Sequence, residues 1–272
     1  MHGGGAAAAC FEQPPTGYRP VEVAPRLSIM EMNTEDSLRE YLRLFARIPF
    51  AGRIGPLARV FDFVAAAAPG VREILAVGKL CYEVRERHYD LVVVDAEASG
   101  HVVSQIGAPD AIADLVKVGL IRDQTAWMRR ILNDPETTGV VIVTTPEEMP
   151  VVETIELAGA IAERTKVALA AVVANRVPPE PFGRSEQQVF DAIDGDPKLR
   201  DRITRAAGSA ASTVIDAASL AVRLRRHAAE QLTDMRAGIP AEVPVLYVPE
   251  MFARSAGRRT VELVATALAE EL

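Results

Sequence analysis

Four apolar runs rich in β-branched residues constrain the fold of this chain more than any other feature. They are LVVVD at 91–95, GVVIVTT at 139–145, VALAAVVAN at 167–175 and VPVLYVP at 243–249. Each run is continuous rather than alternating, which is typical of strands buried on both faces of a parallel sheet. Each is also strand-sized, because a membrane-spanning helix needs about 18 to 20 consecutive apolar residues. We therefore predict no transmembrane segment.

Helical stretches separate these runs. The clearest is 146–164, where Thr145 and Glu148 have the spacing of a capping box and Pro146 occupies the first helical position. Strands that alternate with helices predict βαβ units and a doubly wound, mostly parallel α/β sheet. Ligands of such sheets bind at the carboxyl ends of the strands. In this chain those ends carry Asp95, Thr144, Asn175 and Pro249.

The N-terminal part of the chain differs from the rest in composition. Residues 1–26 hold a Gly/Ala tract and then several prolines, which predicts a disordered or loop-like segment. From Leu27 a short strand is expected to lead into a helix capped by Asn33 or Thr34. Two further helices are predicted at 52–66 and 69–88.

Residues 27–272 are interpreted as a single α/β domain. A small helical insertion is expected at 101–137, with Trp127 and Met128 in its core. The segment from 185 to 238 predicts a helix-loop-helix followed by a long surface helix.

The charge balance limits the classes of partner. Lys and Arg total 30 against 37 Asp and Glu, a net charge of −7, which argues against a nucleic-acid-binding protein.

Two cysteines, Cys10 and Cys81, form neither a disulfide framework nor a CxxC pair. The four histidines lack ligand spacing, so no structural metal is expected. The start of the chain does not have the pattern of a secretory signal, and we predict a cytoplasmic protein.

The strongest local feature is YDLVVVDAEASGH at 89–101. A buried strand that brings Asp95 to its end, followed by a turn with Gly100, can hold a Mg²⁺-bound water and let a backbone N–H approach a γ-phosphate. The alternative is that Asp95 only caps the next element.

Four motifs in order carry a family resemblance. YDLVVVD with its Ser-Gly-His turn, TTGVVIVTTPEEMPVVETIEL, VVANRV and VPVLYVPE together resemble the ArsA-type ATPases, in particular the actinobacterial anion-transporting branch. That family includes arsenical pump-driving ATPases and ATPases that guide tail-anchored proteins. The resemblance implies a P-loop NTPase fold of the deviant Walker A type, with ATP and Mg²⁺ as cofactors. It also implies a homodimer or a heterodimer with a paralogous ATPase, and a membrane-protein client or partner.

The resemblance places a catalytic switch at Asp95, Gly100 and His101. These positions match the family's switch II pattern, in which Asp95 would contact Mg²⁺ indirectly through a bound water. The intervening residues 96–99 depart from the pattern, and the acidic Glu97 would repel a triphosphate unless it points away.

The resemblance also places a base-binding site at two strand ends. Asn175 matches the family's adenine-recognising asparagine, whose amide can both donate to and accept from a purine edge. Arg176 follows it, and Val248, Pro249 and Glu250 match a second loop on the adenine side. The alternative from the residues alone is that Asn175 starts a turn into Pro178 and Pro179.

The family's phosphate-binding loop, GKGGxGKS/T, is absent. The pair Gly78-Lys79 is followed by Leu80 rather than Ser or Thr and lies in a helical stretch. We therefore expect an N-terminally incomplete member of the family that does not hydrolyse ATP as it stands. The main alternative is a non-enzymatic regulatory or dimerisation subunit of an intact paralogue, and a third is an unrelated doubly wound binding protein.

Overall fold

The computed structural model describes residues 6–33, 35–37, 39–40, 71–96, 99–115, 120–252 and 257–272. The helix predicted at 52–66 lies outside the described residues. The described helices are α1 Ala6–Cys10, α2 Val71–Arg85, α3 Ser99–Leu115, α4 Leu120–Leu132, α5 Glu148–Arg164, α6 Arg184–Gly195, α7 Pro197–Ala207, α8 Ala210–Gly238 and α9 Arg258–Glu271. The described strands are β1 Val21–Ala24, β2 Leu27–Ile29, β3 Gly139–Thr144, β4 Ala168–Val177 and β5 Val245–Pro249.

The chain separates into two compact units. The first unit comprises Met1–Val140, Glu156–Ala170 and Arg254–Glu262, and the second comprises Val141–Ile155, Ala171–Ala253 and Leu263–Leu272. None of the helices among the described residues is long and apolar enough to cross a membrane.

A short antiparallel hairpin lies near the start of the first unit. β1 pairs with β2, and Pro25 with Arg26 forms the connection. Arg26 has a φ of 66°, and a proline followed by a residue of positive φ is the pattern of a type II turn. The strand at Leu27 is thereby confirmed, but β1 and α1 lie in the stretch that we expected to be loop. The prolines of this stretch favoured a loop. However, Pro20 and Pro25 only flank β1, and no proline lies inside the strand.

Asn33, one of the two caps that the sequence predicted, caps the helical residues 35–37. Its side-chain Oδ1 accepts a hydrogen bond from the Asp36 N–H at 2.8 Å, and its carbonyl oxygen accepts one from the Ser37 N–H at 3.1 Å. An asparagine in this position satisfies an N–H group that has no partner within the helix.

Helices α2, α3 and α4 pack together and form the core of the first unit. Its buried apolar cluster consists of Val77, Cys81, Trp127, Met128, Leu132 and Val167. Trp127 and Met128 are therefore core residues, as predicted. A Cβ at Gly78 would lie only 2.8 Å from the Met128 Cε, so this glycine allows α2 and α4 to approach closely.

A left-handed residue ends α2. The N–H of Arg87 donates to the carbonyl of Val84 at 3.2 Å, and the N–H of His88 donates to the carbonyl of Glu83 at 3.2 Å. Arg87 has a φ of 55°. This pair of bonds around a positive φ is a Schellman motif, in which glycine is the preferred residue.

The sheet beyond the hairpin contains β3, β4 and β5 in that order. β4 and β5 are parallel, with Val172 opposite Val245 and Val177 opposite Pro249. These three strands lie where the apolar runs predicted them, and the fold is mixed α/β. The prediction that each is buried on both faces is wrong for β3, because Val141 and Val143 on one face are exposed.

The strand predicted at 91–95 is not formed. Residues 91–96 have no regular secondary structure, and Leu91 and Val93 are 79% and 84% exposed. A β-branched run favours an extended backbone, but a strand also needs a neighbour that accepts and donates its backbone hydrogen bonds. Among the described residues, no strand pairs with this segment.

The helices of the second half follow the predictions with small shifts. α5 begins at Glu148 rather than at Pro146, because the carbonyl of Glu147 accepts the bond from the Val151 N–H. α6 and α7 form the predicted helix-loop-helix, and α8 is the long helix that follows. Asp196 caps α7 by accepting from the Lys198 N–H at 2.9 Å.

Candidate functional site

Two of the three predicted switch residues lie in the first turn of α3, in the first unit. Gly100 and His101 are both exposed there. A Cβ at Gly100 would meet nothing within 4 Å, so the space beside it is open. The first N–H groups of a helix have no acceptor within the helix and favour an anion. The start of α3 therefore has the chemistry to accept an anionic group.

Asp95 lies in the irregular segment before α3, and its side chain is exposed. No group of three or more His, Cys, Asp and Glu that could hold a metal occurs in the part of the chain that the structure describes. Mg²⁺ often keeps several waters and takes one or two carboxylates together with phosphate oxygens. A single exposed Asp95 fits at most the water-mediated contact that the resemblance implies, and this role stays a prediction.

The predicted base-binding residues come together at the carboxyl ends of β4 and β5, in the second unit. The Glu250 N–H donates to the Val177 carbonyl oxygen at 2.9 Å. The Arg176 Nε donates to Glu250 Oε2 at 2.7 Å across 74 positions of sequence. The two strand ends are thus linked by both a backbone and a side-chain contact.

Asn175 is held by the residue that follows it. Its Oδ1 accepts the N–H of Arg176 at 2.9 Å. The pairing of β4 with β5 shifts register between Ala174 and Val177, and Arg176 has a φ of 58°. This bulge at a strand end is the kind of irregularity that often re-aims a side chain at a functional site.

The ion pair at this strand end is in contact with solvent. The Arg176 side chain is 64% exposed and the Glu250 side chain 26%. The hydrogen bond to Glu250, and then the charge of that carboxylate, raise the pKa of Arg176 above its ordinary value. The guanidinium is therefore charged at neutral pH, and salt screens its attraction to Glu250.

Val248 and Pro249 differ in what they can offer a ligand. Val248 is only 1% exposed and belongs to the core, whereas Pro249 is exposed at the end of β5. An apolar ring such as that of Pro249 can cover one face of a planar base. The side chain of Val248 is buried and is not available to a ligand at the surface.

The Gly78-Lys79 pair has a structural role in the first unit. The Lys79 Nζ lies 2.8 Å from Glu40 Oε2 and 2.5 Å from Glu83 Oε1. Burial by itself lowers the pKa of Lys79, but hydrogen bonds to the two carboxylates outweigh it and raise that pKa. An ammonium engaged in this way is not available to a phosphate, which agrees with the sequence interpretation that this pair is no P-loop.

Sequence reasoning did not identify two features. One is the network around Lys79, which joins Glu83, one turn along α2, to Glu40, 39 positions away in the sequence. The other is an open, mostly apolar surface pocket of about 450 Å³ that is lined by Phe182, Ser185, Glu186, Val189, Phe190 and Ile193. None of the predicted site residues lines this pocket. The rings of Phe182 and Phe190 are stacked there, with centroids 4.8 Å apart, and the sequence signal for this contact is only the presence of two phenylalanines eight positions apart.

Comparison with known proteins supports the resemblance that the motifs suggested. A family profile described as anion-transporting ATPase matches residues 8–126 and 110–192. The ATPase BagA of Mycobacterium tuberculosis is 28% identical over 180 residues, which cover 62% of this chain and 52% of that protein. An ATPase ASNA1 homolog of Entamoeba dispar is 25% identical over 99 residues, or 34% of this chain and 29% of that protein.

These matches cover only part of the relatives. This chain spans about half the length of the curated mycobacterial relatives that it matches. The family profile covers more than half of the chain and includes both Asp95 and Asn175. The chain therefore belongs to the ArsA-type family of anion-transporting ATPases.

Proposed function

We propose that this chain binds an adenine nucleotide at the carboxyl ends of β4 and β5 and does not hydrolyse ATP by itself. The observation that carries the proposal is the junction of Asn175 and Arg176 on one strand with Pro249 and Glu250 on its parallel neighbour. Ligands of parallel sheets bind at this edge. Membership of an ATPase family supports a nucleotide as the ligand.

The groups at this edge suit the base rather than the phosphates. The Asn175 amide offers N–H donors to the acceptor atoms of a purine, and Pro249 offers an apolar face to the ring. Glu250 brings negative charge, which would repel a phosphate group placed beside it. A base bound here would be recognised mainly by the side-chain amide.

The absence of hydrolysis follows from the chemistry of phosphoryl transfer. Positioning of the phosphates and neutralisation of their charge supply most of the catalysis in this class of enzyme. The 272 residues contain no GKGGxGKS/T loop, and the ammonium of Lys79 is engaged by Glu40 and Glu83. The residues present therefore do not fit a triphosphate with its Mg²⁺, and no hydrolytic step is assigned to them.

Equilibrium binding of ADP to the purified chain tests the base site. We expect calorimetry to detect binding by the parent chain and its loss in Asn175→Ala. Asn133→Ala is the matched control, because Asn133 is an asparagine of the first unit that lies outside the proposed site. Equal affinity of the parent chain and Asn175→Ala would refute the proposal.

Steady-state release of inorganic phosphate tests the second part of the proposal. We expect the parent chain and Asp95→Ala to show the same background rate with ATP and Mg²⁺. Turnover by the parent chain that Asp95→Ala abolishes would show that the chain is an active ATPase.

A second candidate function is that of a subunit that pairs with an intact ATPase of the same family. It is favoured by the exposed apolar segment at 89–94, in which Tyr89, Leu91, Val93 and Val94 are all exposed. Contiguous exposed apolar surface of this kind is typical of interaction sites. The unpaired backbone of such a segment could also hydrogen-bond to a strand of the partner.

Sedimentation of the chain with a full-length paralogue tests this candidate. We expect a complex with the parent chain and none with Val93→Asp. Val189→Asp, which changes an exposed valine of the second unit, should leave the complex intact. No complex with the parent chain, or one that Val93→Asp does not weaken, would reject the pairing role.

A further inference from the structure

Arg176, near the end of β4, has an uncommon backbone conformation. Arg176 has a φ of 58°, in the left-handed region that residues other than glycine adopt only infrequently. It lies in the bulge between Ala174 and Val177, where the register of β4 against β5 shifts. A residue persists in this region when its surroundings hold it there, and such residues cluster at ligand-binding sites.

Three contacts hold the bulge. The Arg176 N–H donates to Asn175 Oδ1 at 2.9 Å, and the Arg176 Nε donates to Glu250 Oε2 at 2.7 Å. The Glu250 N–H donates to the Val177 carbonyl at 2.9 Å, directly after the bulge. Glu250 therefore contacts Arg176 through its side chain and Val177 through its backbone N–H. The left-handed turn is thus fixed from the neighbouring strand.

The first of these contacts fixes the orientation of the Asn175 amide. A backbone N–H can only donate, so the amide atom that faces it must be the oxygen. One of the two Oδ1 lone pairs is then occupied, and Nδ2 with its two donors lies on the other side of the amide. The Nδ2 donors of Asn175 are therefore the free side of the amide. They suit a ligand atom that accepts a hydrogen bond, such as a purine ring nitrogen.

We propose that Arg176 is a positioning residue: its left-handed backbone and its ion pair with Glu250 hold the Asn175 amide in the orientation that reads an acceptor on the base. This inference rests on the proposed nucleotide site. Arg176 acts through Asn175 and does not contact the base itself. If either the backbone conformation or the ion pair is lost, the Asn175 amide can rotate. Binding of the nucleotide must then fix the orientation of this amide, which lowers the affinity.

Two substitutions at Arg176 separate the backbone from the side chain. Arg176→Gly keeps the N–H and permits a positive φ without strain, so it removes the ion pair while the left-handed backbone stays accessible. We expect ADP affinity to fall about threefold, the scale of one exposed ion pair. Arg176→Val opposes a positive φ through its branched Cβ, and we expect a fall of about tenfold or more. Calorimetry measures both, and far-ultraviolet circular dichroism checks that each variant is folded.

A salt series with adenosine gives a readout that a merely structural role would not move. Adenosine carries no charge, so direct attraction to the site does not make its affinity depend on salt. Because the Arg176–Glu250 pair is exposed and screened by salt, we expect adenosine affinity to fall about twofold to threefold between low and high salt. Glu250→Gln should bind more weakly and lose this salt dependence. The exchange Arg176→Glu with Glu250→Arg should restore most of the affinity that Arg176→Glu alone loses.

The outcomes separate the two proposals. If the parent chain binds neither ADP nor adenosine, the proposed nucleotide site is wrong. If it binds both, but Arg176→Gly, Arg176→Val and Glu250→Gln keep the parent affinity, the positioning role of Arg176 is overturned while the nucleotide site stands. Should Arg176→Val fail to fold, the glycine variant, Glu250→Gln and the salt series decide the matter.

Discussion

Lys79 and Glu83 lie one turn apart on α2 and form an ion pair, 2.5 Å between Nζ and Oε1, in which each side chain is only 11% exposed. A second carboxylate, Glu40, lies 2.8 Å from the same ammonium, and the Tyr18 hydroxyl donates to Glu40 at 2.6 Å. Burial, and then that hydrogen bond, raise the pKa of Tyr18 far above its usual range, so its hydroxyl keeps its proton. One ammonium therefore connects the N-terminal part of the first unit to α2.

Replacement of Lys79 by methionine should destabilise the first unit. The methionine fills a similar volume but leaves Glu40 and Glu83 side by side without the ammonium that both contact. We expect the free energy of unfolding to fall by about 2 kcal/mol, somewhat less than for a fully buried pair. Urea unfolding measures the loss. Lys198→Met, at an exposed lysine, is the matched control and should change stability by less than about 0.5 kcal/mol. Equal midpoints for the two variants would show that the network contributes nothing.

Glu83 should make stability depend on pH on the acid side. Burial raises the pKa of Glu83, but hydrogen bonds from Lys79 and His88 outweigh it and hold that pKa below the ordinary value. A carboxyl with a lowered folded-state pKa contributes stability that is complete above its unfolded pKa and is lost as pH falls through the folded pKa. We expect the free energy of unfolding to decline from about pH 5 downwards, and less steeply in Glu83→Gln.

The control for this pH series is Glu163→Gln, at an exposed glutamate of α5. It should retain the acid dependence of the parent chain. Urea unfolding at several pH values gives the slopes. A Glu83→Gln variant with the parent slope would mean that Glu83 titrates alike in the folded and unfolded states.

Arg87→Gly should stabilise the chain. Arg87 has a φ of 55° in the Schellman motif that ends α2, and a left-handed conformation costs a residue with a Cβ about 1 kcal/mol. Glycine removes that cost, so we expect a gain of up to about 1 kcal/mol. The fluorescence of Trp127, the single tryptophan, monitors the unfolding.

Arg85→Gly, two residues earlier, should instead lower the free energy of unfolding. Arg85 is the last residue of α2, and its guanidinium lies 4.5 Å from the centroid of the Trp127 ring. Arg85→Gly loses this cation–π contact and introduces a glycine into the helix, and we expect it to cost about 1 kcal/mol. If both glycine variants destabilise the chain equally, the conformation assigned to Arg87 is wrong.

Local patterns in the sequence were sufficient for the elements whose stabilising contacts are near in the chain. Asn33 caps its helix through a bond to a residue three positions later, and three of the four β-branched runs are strands. The run at 91–95 shows the limit of this reasoning. Its residues favour an extended backbone, but whether a neighbouring strand accepts its hydrogen bonds depends on distant parts of the chain.

The candidate site shows the same division between local and distant information. A polar residue at the end of a predicted strand indicated Asn175, and the order of motifs indicated Pro249 and Glu250. The left-handed conformation of Arg176 could not be predicted, because its ion-pair partner is 74 positions away and arginine has no intrinsic preference for positive φ. The geometry that orients Asn175 is therefore a property of the folded strand pair.

The two cysteines should differ in reactivity because of their surroundings. Cys81 is 2% exposed within the core of the first unit, and burial raises the pKa of its thiol to about 12. Cys10 is half-buried at the end of α1. The thiolate is the reactive form, so at about pH 8 a disulfide reagent should modify Cys10 in the folded chain and Cys81 only after unfolding. Cys10→Ser should then show almost no reaction until denaturant is added, whereas Cys81→Ala should react fully when folded. Rapid modification of folded Cys10→Ser would mean that α2 opens readily and that Cys81 is not held in a closed core.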